Sequence, residues 1–273
     1  MDNRPVIFHD SGIGCLPYAL FFHSRNPGED LICVADRENF PYGQKTKEYL
    51  VDALTSLTEK FISLYNPKIY AIVCNSAAVS ALPALRERFP GLPIVGTVPA
   101  IKPAAEASKT RCIGVLGTQR TISDHYIEEL RIKFAPDTTI VGIAAPELPE
   151  FIEHRWLDAD EAERLDTVKP YIAEIISKGA DTLVLACTHF VLLKDEFRCA
   201  AALHGSKENE LMIFDSVEGI SRRVEFLLDE NDSRLRSSSG GGKQVPLKIT
   251  GDGEPDTAWK NIAAHFGVAA EKL

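Results

Sequence analysis

Two cysteines stand where the sequence could carry out acid–base or nucleophilic chemistry. Each follows a short apolar run typical of a β-strand, and each precedes residues that form hydrogen bonds. The two segments are Cys74-Asn75-Ser76 and Cys187-Thr188-His189. A cysteine between a strand and the start of a helix has its sulfur near backbone N–H groups and the positive end of the helix dipole, which favours the reactive thiolate. We therefore interpret Cys74 and Cys187 as candidate reactive thiols.

The other four cysteines, which include Cys15, lack that setting. Cys33 and Cys112 lie within apolar strand patterns, and Cys199 lies on a predicted helix. For any lone cysteine the alternative is a small buried hydrophobic side chain. The sequence has neither a CxxC pair nor a His-rich metal spacing, so it predicts reduced thiols and no metal site.

Polar residues at other strand ends extend the candidate site. Asp10-Ser11-Gly12 ends one apolar run, and Thr118 with Thr121 follows another. In open α/β sheets ligands bind outside the carboxyl ends of the strands, where these side chains would join the cysteines. His189 adds a titratable group beside Cys187. The histidines without such a neighbour are predicted to be structural or exposed: His9, His23, His125, His204 and His265.

Several classes of function are disfavoured. Gly12-Ile13-Gly14 suggests a dinucleotide site, but Pro17 occupies the position of the third glycine in GxGxxG. The 273 residues include 30 Lys and Arg against 39 Asp and Glu, a net charge of −9, which disfavours binding to nucleic acid or to an anionic membrane. No apolar run approaches the roughly 20 residues that span a bilayer, and no signal peptide precedes the first strand. We therefore expect a cytoplasmic protein.

Strand-like and helical patterns alternate along the chain. The apolar runs are mostly continuous, which is typical of parallel strands covered on both faces, and the patterns between them have helical spacing. The runs cover residues 6–8, 31–34, 69–73, 93–95, 112–116, 139–141, 182–185, 212–214 and 246–249. The helical patterns cover residues 50–64, 121–134, 217–228 and 256–266. This alternation predicts βαβ units and an α/β fold.

A weak internal repeat runs through the pattern. The strands that end at Asp10 and before Thr118 are each followed, about seventy residues later, by a strand that ends next to Cys74 or Cys187. Two similar α/β units would explain this, although the self-similarity of any α/β chain is an equally good explanation. The stretch from residue 231 to residue 243 is rich in Ser and Gly and predicts a flexible loop.

Taken together, these segments resemble the glutamate racemase family, within the aspartate/glutamate racemase group. The resemblance runs from about residue 6 to residue 266 and rests on five motifs in the family's order. They are Asp10-Ser11-Gly12-Ile13-Gly14, Phe40-Pro41-Tyr42-Gly43, Cys74-Asn75-Ser76-Ala77, Ile113-Gly114-Val115-Leu116-Gly117-Thr118 and Cys187-Thr188-His189. Ser76 stands where threonine is usual and keeps its hydroxyl.

The resemblance implies two α/β domains with mainly parallel sheets, related by a pseudo-two-fold, with the active site in the cleft between them. The first domain would comprise residues 1–97 and 208–273 and carry Cys74. The second would comprise residues 98–207 and carry Cys187. It also implies a homodimer.

The resemblance further implies a racemase that needs no cofactor. Cys74 would act as the base towards D-glutamate and Cys187 as the base towards L-glutamate. Asp10 and His189 would assist them, as would Glu153, which composition alone predicts to be an exposed helix acid. The substrate, a small molecule, would be held by a set of mostly polar residues. These are Asp10, Ser11, Pro41, Tyr42, Gly43, Asn75, Ser76, Thr118, Thr121, Thr188 and His189.

The implied role is to supply D-glutamate for peptidoglycan synthesis. Two alternatives remain: a racemase for aspartate or another amino acid, and an inactive member that binds amino acids or a partner protein. The presence of both cysteines argues against the inactive member. Family members that a peptidoglycan precursor activates carry an N-terminal extension, and this sequence begins directly before its first strand, which disfavours such activation and leaves open whether an effector modulates activity.

Overall fold

The computed structural model describes residues 2–204, 211–235 and 245–273, which divide into two compact units. The first unit contains Met1–Thr97 and Val217–Leu273. Its strands are β1 (Val6–Asp10), β2 (Leu31–Ala35), β3 (Ile69–Ile72), β4 (Ile94–Gly96), β9 (Leu247–Ile249) and β10 (Ala270–Lys272). Its helices are α1 (Cys15–Arg25), α2 (Lys47–Tyr65), α3 (Asn75–Arg88), α10 (Val217–Glu230) and α11 (Thr257–His265).

The second unit contains Val98–Ser216. Its strands are β5 (Cys112–Gly117), β6 (Thr139–Ala144), β7 (Thr182–Ala186) and β8 (Met212–Phe214). Its helices are α4 (Ile101–Ala107), α5 (Gln119–Ser123), α6 (Tyr126–Phe134), α7 (Leu148–His154), α8 (Glu161–Ser177) and α9 (Lys194–His204). Among all the described helices, none combines the length and apolar character that a bilayer crossing requires.

The two sheets repeat one strand order. The first sheet has the order β10-β9-β2-β1-β3-β4 and the second the order β6-β5-β7-β8. Every described strand pair is parallel. The run β2-β1-β3-β4 therefore corresponds to β6-β5-β7-β8, which supports the interpretation of the sequence repeat as two similar α/β units. In this correspondence β3, which precedes Cys74, matches β7, which precedes Cys187.

The apolar cores explain why the strands lack alternation. Strand β1 is fully buried, and so are β3 and β7, because helices cover both faces of a parallel sheet. On one side of the first sheet, Tyr70 and Ile72 pack in a cluster with Leu50, Phe61 and Leu85 from the helices α2 and α3. The buried strands thus fix the positions of the residues that follow their carboxyl ends.

The nine predicted strands all occur, and no boundary differs from its prediction by more than three residues. Strand β10 had no prediction, since its sequence Ala-Glu-Lys carries no apolar run. The helix predicted over residues 121–134 is two helices, because Asp124 takes an extended backbone and its Oδ1 accepts from Tyr126 N at 2.9 Å. Residues 236–243 of the predicted flexible loop lie outside the described residues.

The predicted return to the first domain at residue 208 differs from the structure. That position lies outside the described residues, but Leu211–Ser216 belong to the second unit. The reason is that β8 pairs with β7, with Thr182 opposite Met212. The chain returns to the first unit at Val217, where α10 begins.

A buried ion pair connects the segment after α10, residues 233–235, to the rest of the first unit. Lys68 Nζ lies 2.6 Å from Glu29 Oε2, and both side chains are almost wholly buried. The same ammonium donates to the carbonyl oxygens of Asp2 and Ser233, each at 2.9 Å. Glu29 Oε1 accepts from the backbone N–H of Leu235 at 2.6 Å. The additional hydrogen bonds offset the cost of burying the two charges, so the pair links the start of β1 and the end of the α10 segment.

In the second unit Asp181 organises the turn that leads into β5. Its carboxylate accepts from Ser108 Oγ at 2.6 Å and from the backbone N–H groups of Lys109 and Thr110 at 2.6 and 2.8 Å. Burial alone would raise the pKa of Asp181, but these three donors outweigh it and the pKa lies below its ordinary value. The folded protein therefore holds Asp181 as a carboxylate.

We expect Asp181→Ala to lower the free energy of unfolding by about 1.5–3 kcal/mol, the usual worth of hydrogen bonds to a charged group. Because the pKa is lower in the folded than in the unfolded state, the stabilisation is complete above about pH 4 and is lost as the pH falls through the folded value. Denaturant unfolding of both proteins at pH 7 and at pH 3 measures this. A difference between wild type and variant that does not shrink at pH 3 would contradict the assignment.

Candidate active site

In the first unit, Asp10 and Cys74 follow neighbouring strands. His9 on β1 is opposite Ile72 on β3, and Val73 N donates to His9 O at 2.9 Å, so the segments after these residues run side by side. Asp10 is fully buried and its Oδ1 accepts from Ser11 Oγ and from Gly12 N, both at 3.2 Å. Cys74 is 6% exposed and is the N-cap residue of α3. The structure therefore places the Cys74 sulfur at the start of a helix, as predicted.

Asn75 carries an unsatisfied amide next to this thiol. Its residue is 2% exposed, and neither Oδ1 nor Nδ2 has a hydrogen-bond partner among the described residues. A buried amide without partners costs free energy, so such groups are exceptional in folded proteins and require an explanation. A ligand with both a donor and an acceptor would satisfy them. Ser76, the next residue on α3, is equally buried.

In the second unit, Cys187, His189 and Glu153 form one buried group. Cys187 Sγ lies 4.0 Å from His189 Nδ1, and His189 Nε2 lies 2.7 Å from Glu153 Oε1. All three residues are at most 5% exposed. Glu153 does lie on a helix, α7, but it is buried, so the prediction from composition that this acid is exposed was wrong. Helix α7 packs against the turn that carries His189, which buries the carboxylate.

The surroundings of Cys187 differ from those expected. The strand β7 ends at Ala186, and a 3₁₀ turn, His189–Leu193, separates Cys187 from the α-helix that begins at Lys194. Cys187 thus lacks the helix N-terminus that Cys74 has. Its neighbouring titratable group is the imidazole of His189, which the sequence placed correctly beside it.

Three threonines complete the polar end of the second sheet. Thr118 follows β5 and is the N-cap of α5, where its Oγ1 accepts from Thr121 N at 3.3 Å. The hydroxyl oxygens of these two residues lie 3.2 Å apart. Gly117 is opposite Ala186 in the sheet, so Thr118 runs beside Cys187. Thr188 Oγ1 lies 3.4 Å from His189 Nδ1.

Pro41, Tyr42 and Gly43 belong to the first unit. Pro41 precedes the 3₁₀ turn Tyr42–Gln44, which packs against α3. The Tyr42 hydroxyl donates to Asp36 Oδ2 at 2.5 Å. Tyr42 is fully buried in the same apolar cluster as Cys74. Burial raises the pKa of Tyr42 well above its ordinary value, and Asp36 raises it further, so the phenol is neutral.

Sequence reasoning missed His9, which it predicted to be structural or exposed without a role. The residue is fully buried between two tyrosine hydroxyls, with Nδ1 2.6 Å from Tyr70 Oη and Nε2 3.2 Å from Tyr42 Oη. The available signal was its place one residue before Asp10 inside a buried strand, where a polar side chain needs partners.

The predicted site residues therefore form two groups, one at the carboxyl end of each sheet. The first has Asp10, Ser11, Asn75 and Ser76 around Cys74, with the turn of Tyr42 packed on α3. The second has Thr118, Thr121, Thr188, His189 and Glu153 around Cys187. Among the described residues, no cluster of three His, Cys, Asp or Glu side chains could hold a metal ion.

Comparison with known proteins defines the class. The model of the Asp/Glu/Hydantoin racemase family matches residues 23–219, and the chain belongs to this family. A glutamate racemase of Sphingopyxis alaskensis is 36% identical over 239 residues, which cover 83% of each chain. The crystal structure of Escherichia coli glutamate racemase, in complex with L-glutamate and the activator UDP-MurNAc-ala, is 28% identical with a TM-score of 0.82, covering 99% of this chain and 98% of that one.

A glutamate racemase isoform from Bacillus anthracis, 23% identical with a TM-score of 0.82, shares the fold over 100% of this chain and 98% of that one. These comparisons confirm three predictions from the sequence: the family, the α/β fold class with two mainly parallel sheets, and the assignment to the isomerases. The predicted placement of the substrate in a cleft between the domains stays a prediction.

Proposed function

We propose that the protein is a glutamate racemase that interconverts L- and D-glutamate with two cysteines as its acid and base. The observation that supports this most strongly is the repeated placement of a cysteine after the matching strand of two sheets with the same order. Curated glutamate racemases 31–36% identical over 83–96% of the chain support the choice of substrate. The product D-glutamate would enter peptidoglycan synthesis.

The reaction needs one proton removed from one face of the α-carbon and one delivered to the other. One thiolate takes the α-proton and becomes a thiol, while the other cysteine gives its thiol proton to the opposite face and becomes a thiolate. No electron is transferred and no proton is lost, so the step is balanced without a redox partner. General acid–base catalysis of this kind contributes about 10²–10⁴-fold to rate.

The group around Cys74 would act on D-glutamate. Cys74 would remove its α-proton, and the start of α3 would stabilise the thiolate through its N–H groups and dipole. Asp10 would assist the proton transfer. Ser11, Asn75 and Ser76 would hold the amino and carboxylate groups, which would satisfy the buried Asn75 amide. Pro41, Tyr42 and Gly43 would border the carboxylate, with the backbone of the turn as the donor.

The group around Cys187 would act on L-glutamate. With His189 Nε2–H donated to Glu153, Nδ1 faces the Cys187 sulfur and can take up its proton or return it. Glu153 would fix the ring and stabilise the charge that an added proton brings. Thr118, Thr121 and Thr188 would contact the substrate, and fixed donors there would stabilise the charge that develops as the α-proton leaves.

A racemase for aspartate is the second candidate within this family. The argument for glutamate from the residues is His189, since related aspartate racemases tend to carry glutamate at that position. The homodimer that the resemblance implies and the cytoplasmic location expected from the sequence both stay predictions.

We expect purified protein to racemise L-glutamate, and L-aspartate far more slowly, with no added cofactor, because the two thiols suffice for the proton transfers. Polarimetry measures the decay of optical rotation. Activity should survive exhaustive EDTA treatment and exposure to hydroxylamine. A thiol alkylator should abolish it, and saturating glutamate should slow that loss by covering Cys74 and Cys187. Loss of activity after EDTA or hydroxylamine would overturn the proposal, and so would inactivation through Cys15, Cys33, Cys112 or Cys199 alone.

A further inference from the structure

Next to the Cys74 group lies a chain of buried polar side chains whose ring, hydroxyl and carboxylate groups have no role in the proposed proton transfers. His9, Asp36, Tyr42 and Tyr70 are each fully buried. His9 bridges the two tyrosine hydroxyls, and the Tyr42 hydroxyl lies 2.5 Å from Asp36 Oδ2. A network of this kind in an apolar core costs desolvation energy unless every member is satisfied.

The donors and acceptors fix the direction of each hydrogen bond. Asp36 accepts from Asn39 Nδ2 at 2.8 Å and from Thr250 Oγ1 at 2.5 Å, as well as from Tyr42. A carboxylate only accepts, and a tyrosine has one hydroxyl proton, so the proton of Tyr42 points to Asp36. The Tyr42 oxygen must then accept from His9, which therefore carries its proton on Nε2.

The role of the second ring nitrogen, Nδ1, follows from the neutral state of the imidazole. Burial is the largest influence on His9 and lowers its pKa, although the carboxylates of Asp36 and Asp10 pull it upwards. A neutral ring protonated on Nε2 has a bare Nδ1, which accepts the Tyr70 hydroxyl proton at 2.6 Å. The chain thus runs in one direction, from Tyr70 through His9 and Tyr42 to Asp36.

This chain is connected to the proposed site in two ways. The turn Tyr42–Gln44 packs against α3, whose N-cap is Cys74. Tyr42 and Tyr70 also pack in one buried cluster with Cys74. Burial raises the pKa of both hydroxyls well above the ordinary value, and a negative charge on Cys74 would raise each further. Displacement of Tyr42 would therefore move the backbone of its turn relative to Cys74.

We propose that His9 is a positioning residue of the glutamate site: its Nε2–H holds Tyr42 on Asp36 and so fixes the Tyr42–Gly43 backbone that receives the substrate carboxylate. This inference rests on the proposed function. The proposed role depends on one ring atom, Nε2. The packing of the imidazole against Phe61 and Tyr70 depends on the whole ring, so the two roles can be distinguished by experiment.

The test uses three substitutions that keep different parts of the imidazole. His9→Gln places an amide N–H at the position of Nε2, His9→Asn places its amide at the position of Nδ1, and His9→Phe keeps only the aromatic packing. We expect His9→Gln to retain KM for both enantiomers within about threefold. His9→Asn and His9→Phe should raise KM about tenfold, the usual effect of losing a buried hydrogen bond, with a much smaller change in kcat.

Two further variants test the direction of the chain. Tyr70→Phe removes a donor on the far side of His9 and should leave KM near the wild-type value. Tyr42→Phe should match His9→Phe, and the double variant should be no worse than either. If His9→Phe has the wild-type KM, or if KM follows the thermal unfolding midpoint across the series rather than the retained donor, His9 is only a packing residue.

A second measurement needs no racemase activity, so it separates failure of this inference from failure of the proposed function. In protein with ¹⁵N-labelled histidine, the His9 ring should appear as the neutral Nε2–H tautomer at pH 7, since burial lowers its pKa. The groups that face the ring are the carboxylates of Asp36 and Asp10 and the neutral hydroxyls of Tyr42 and Tyr70. An Nδ1–H tautomer or a charged ring at pH 7 would overturn the inference.

Discussion

Cys74→Ser and Cys187→Ser should each reduce the racemisation of glutamate by about 10²–10⁴-fold or more, because an alcohol is a far weaker acid and base than a thiol. Racemisation needs both proton transfers, so the loss of either thiol stops the full reaction. The measurement is kcat/KM by polarimetry in both directions. Since the equilibrium constant between enantiomers is one, the two directions must lose kcat/KM equally.

The roles of the two thiols separate in a half-reaction. On a glutamate that bears a leaving group on its β-carbon, a single thiolate can remove the α-proton while the leaving group departs with its electron pair. Cys74→Ser should then eliminate from the L-substrate through Cys187, and Cys187→Ser from the D-substrate through Cys74. Elimination from the same enantiomer in both variants would contradict the assignment.

Cys199→Ser is the matched control for this pair. Cys199 is an exposed residue of α9. Its replacement by serine is the same chemical change, made away from the proposed site. It should keep wild-type kcat and KM. Undiminished racemisation in either Cys74→Ser or Cys187→Ser, with the control also active, would show that the replaced thiol takes no part.

His189→Asn should slow proton removal from L-glutamate by about 10²–10⁴-fold, the range expected for loss of a positioned acid–base group. The ring lies 4.0 Å from the Cys187 sulfur and 2.7 Å from the Glu153 carboxylate, so it is the group placed to exchange a proton with that thiol. Glu153→Gln should cost less than His189→Asn, because the amide oxygen still accepts from Nε2–H but the negative charge is lost.

The half-reaction isolates this effect from general damage. In the Cys74→Ser background, His189→Asn should lower kcat for elimination from the L-substrate strongly. In the Cys187→Ser background it should lower kcat for the D-substrate much less, because Cys74 lies in the other unit. His154→Asn is the matched control, since His154 is an exposed neighbour of Glu153 on α7. Equal losses for both enantiomers would show that His189 acts on binding or folding instead.

The features that the sequence predicted well depend on local patterns. Continuous apolar runs identify buried parallel strands, so the chain positions of Asp10, Thr118, Cys74 and Cys187 at strand ends follow directly. The prediction that Cys74 lies at the start of a helix depends only on the Asn75-Ser76-Ala77 run, with which α3 begins. The family motifs then gave the roles of these residues, which a pattern of hydrophobicity does not contain.

The features that it missed depend on contacts between distant segments. Glu153 looks like any helix acid, and its burial is set by the packing of α7 on the turn after β7. The partners of His9 are supplied by β3 and by the turn after β2, so its place in a buried strand shows that it needs partners but not which residues they are. The extension of the second unit to Ser216 follows from the pairing of β8 with β7, which composition cannot show.

Racemisation of L-glutamate in deuterated water tests the two-thiol mechanism most directly. At low conversion the D-glutamate formed should carry solvent deuterium at its α-carbon, because its proton comes from the second thiol, which exchanges with solvent. The remaining L-glutamate should still carry protium, and the same pattern should hold in reverse from D-glutamate. D-glutamate that retains the original proton, or equal deuterium in both enantiomers from the start, would mean that one base serves both faces and would contradict the account.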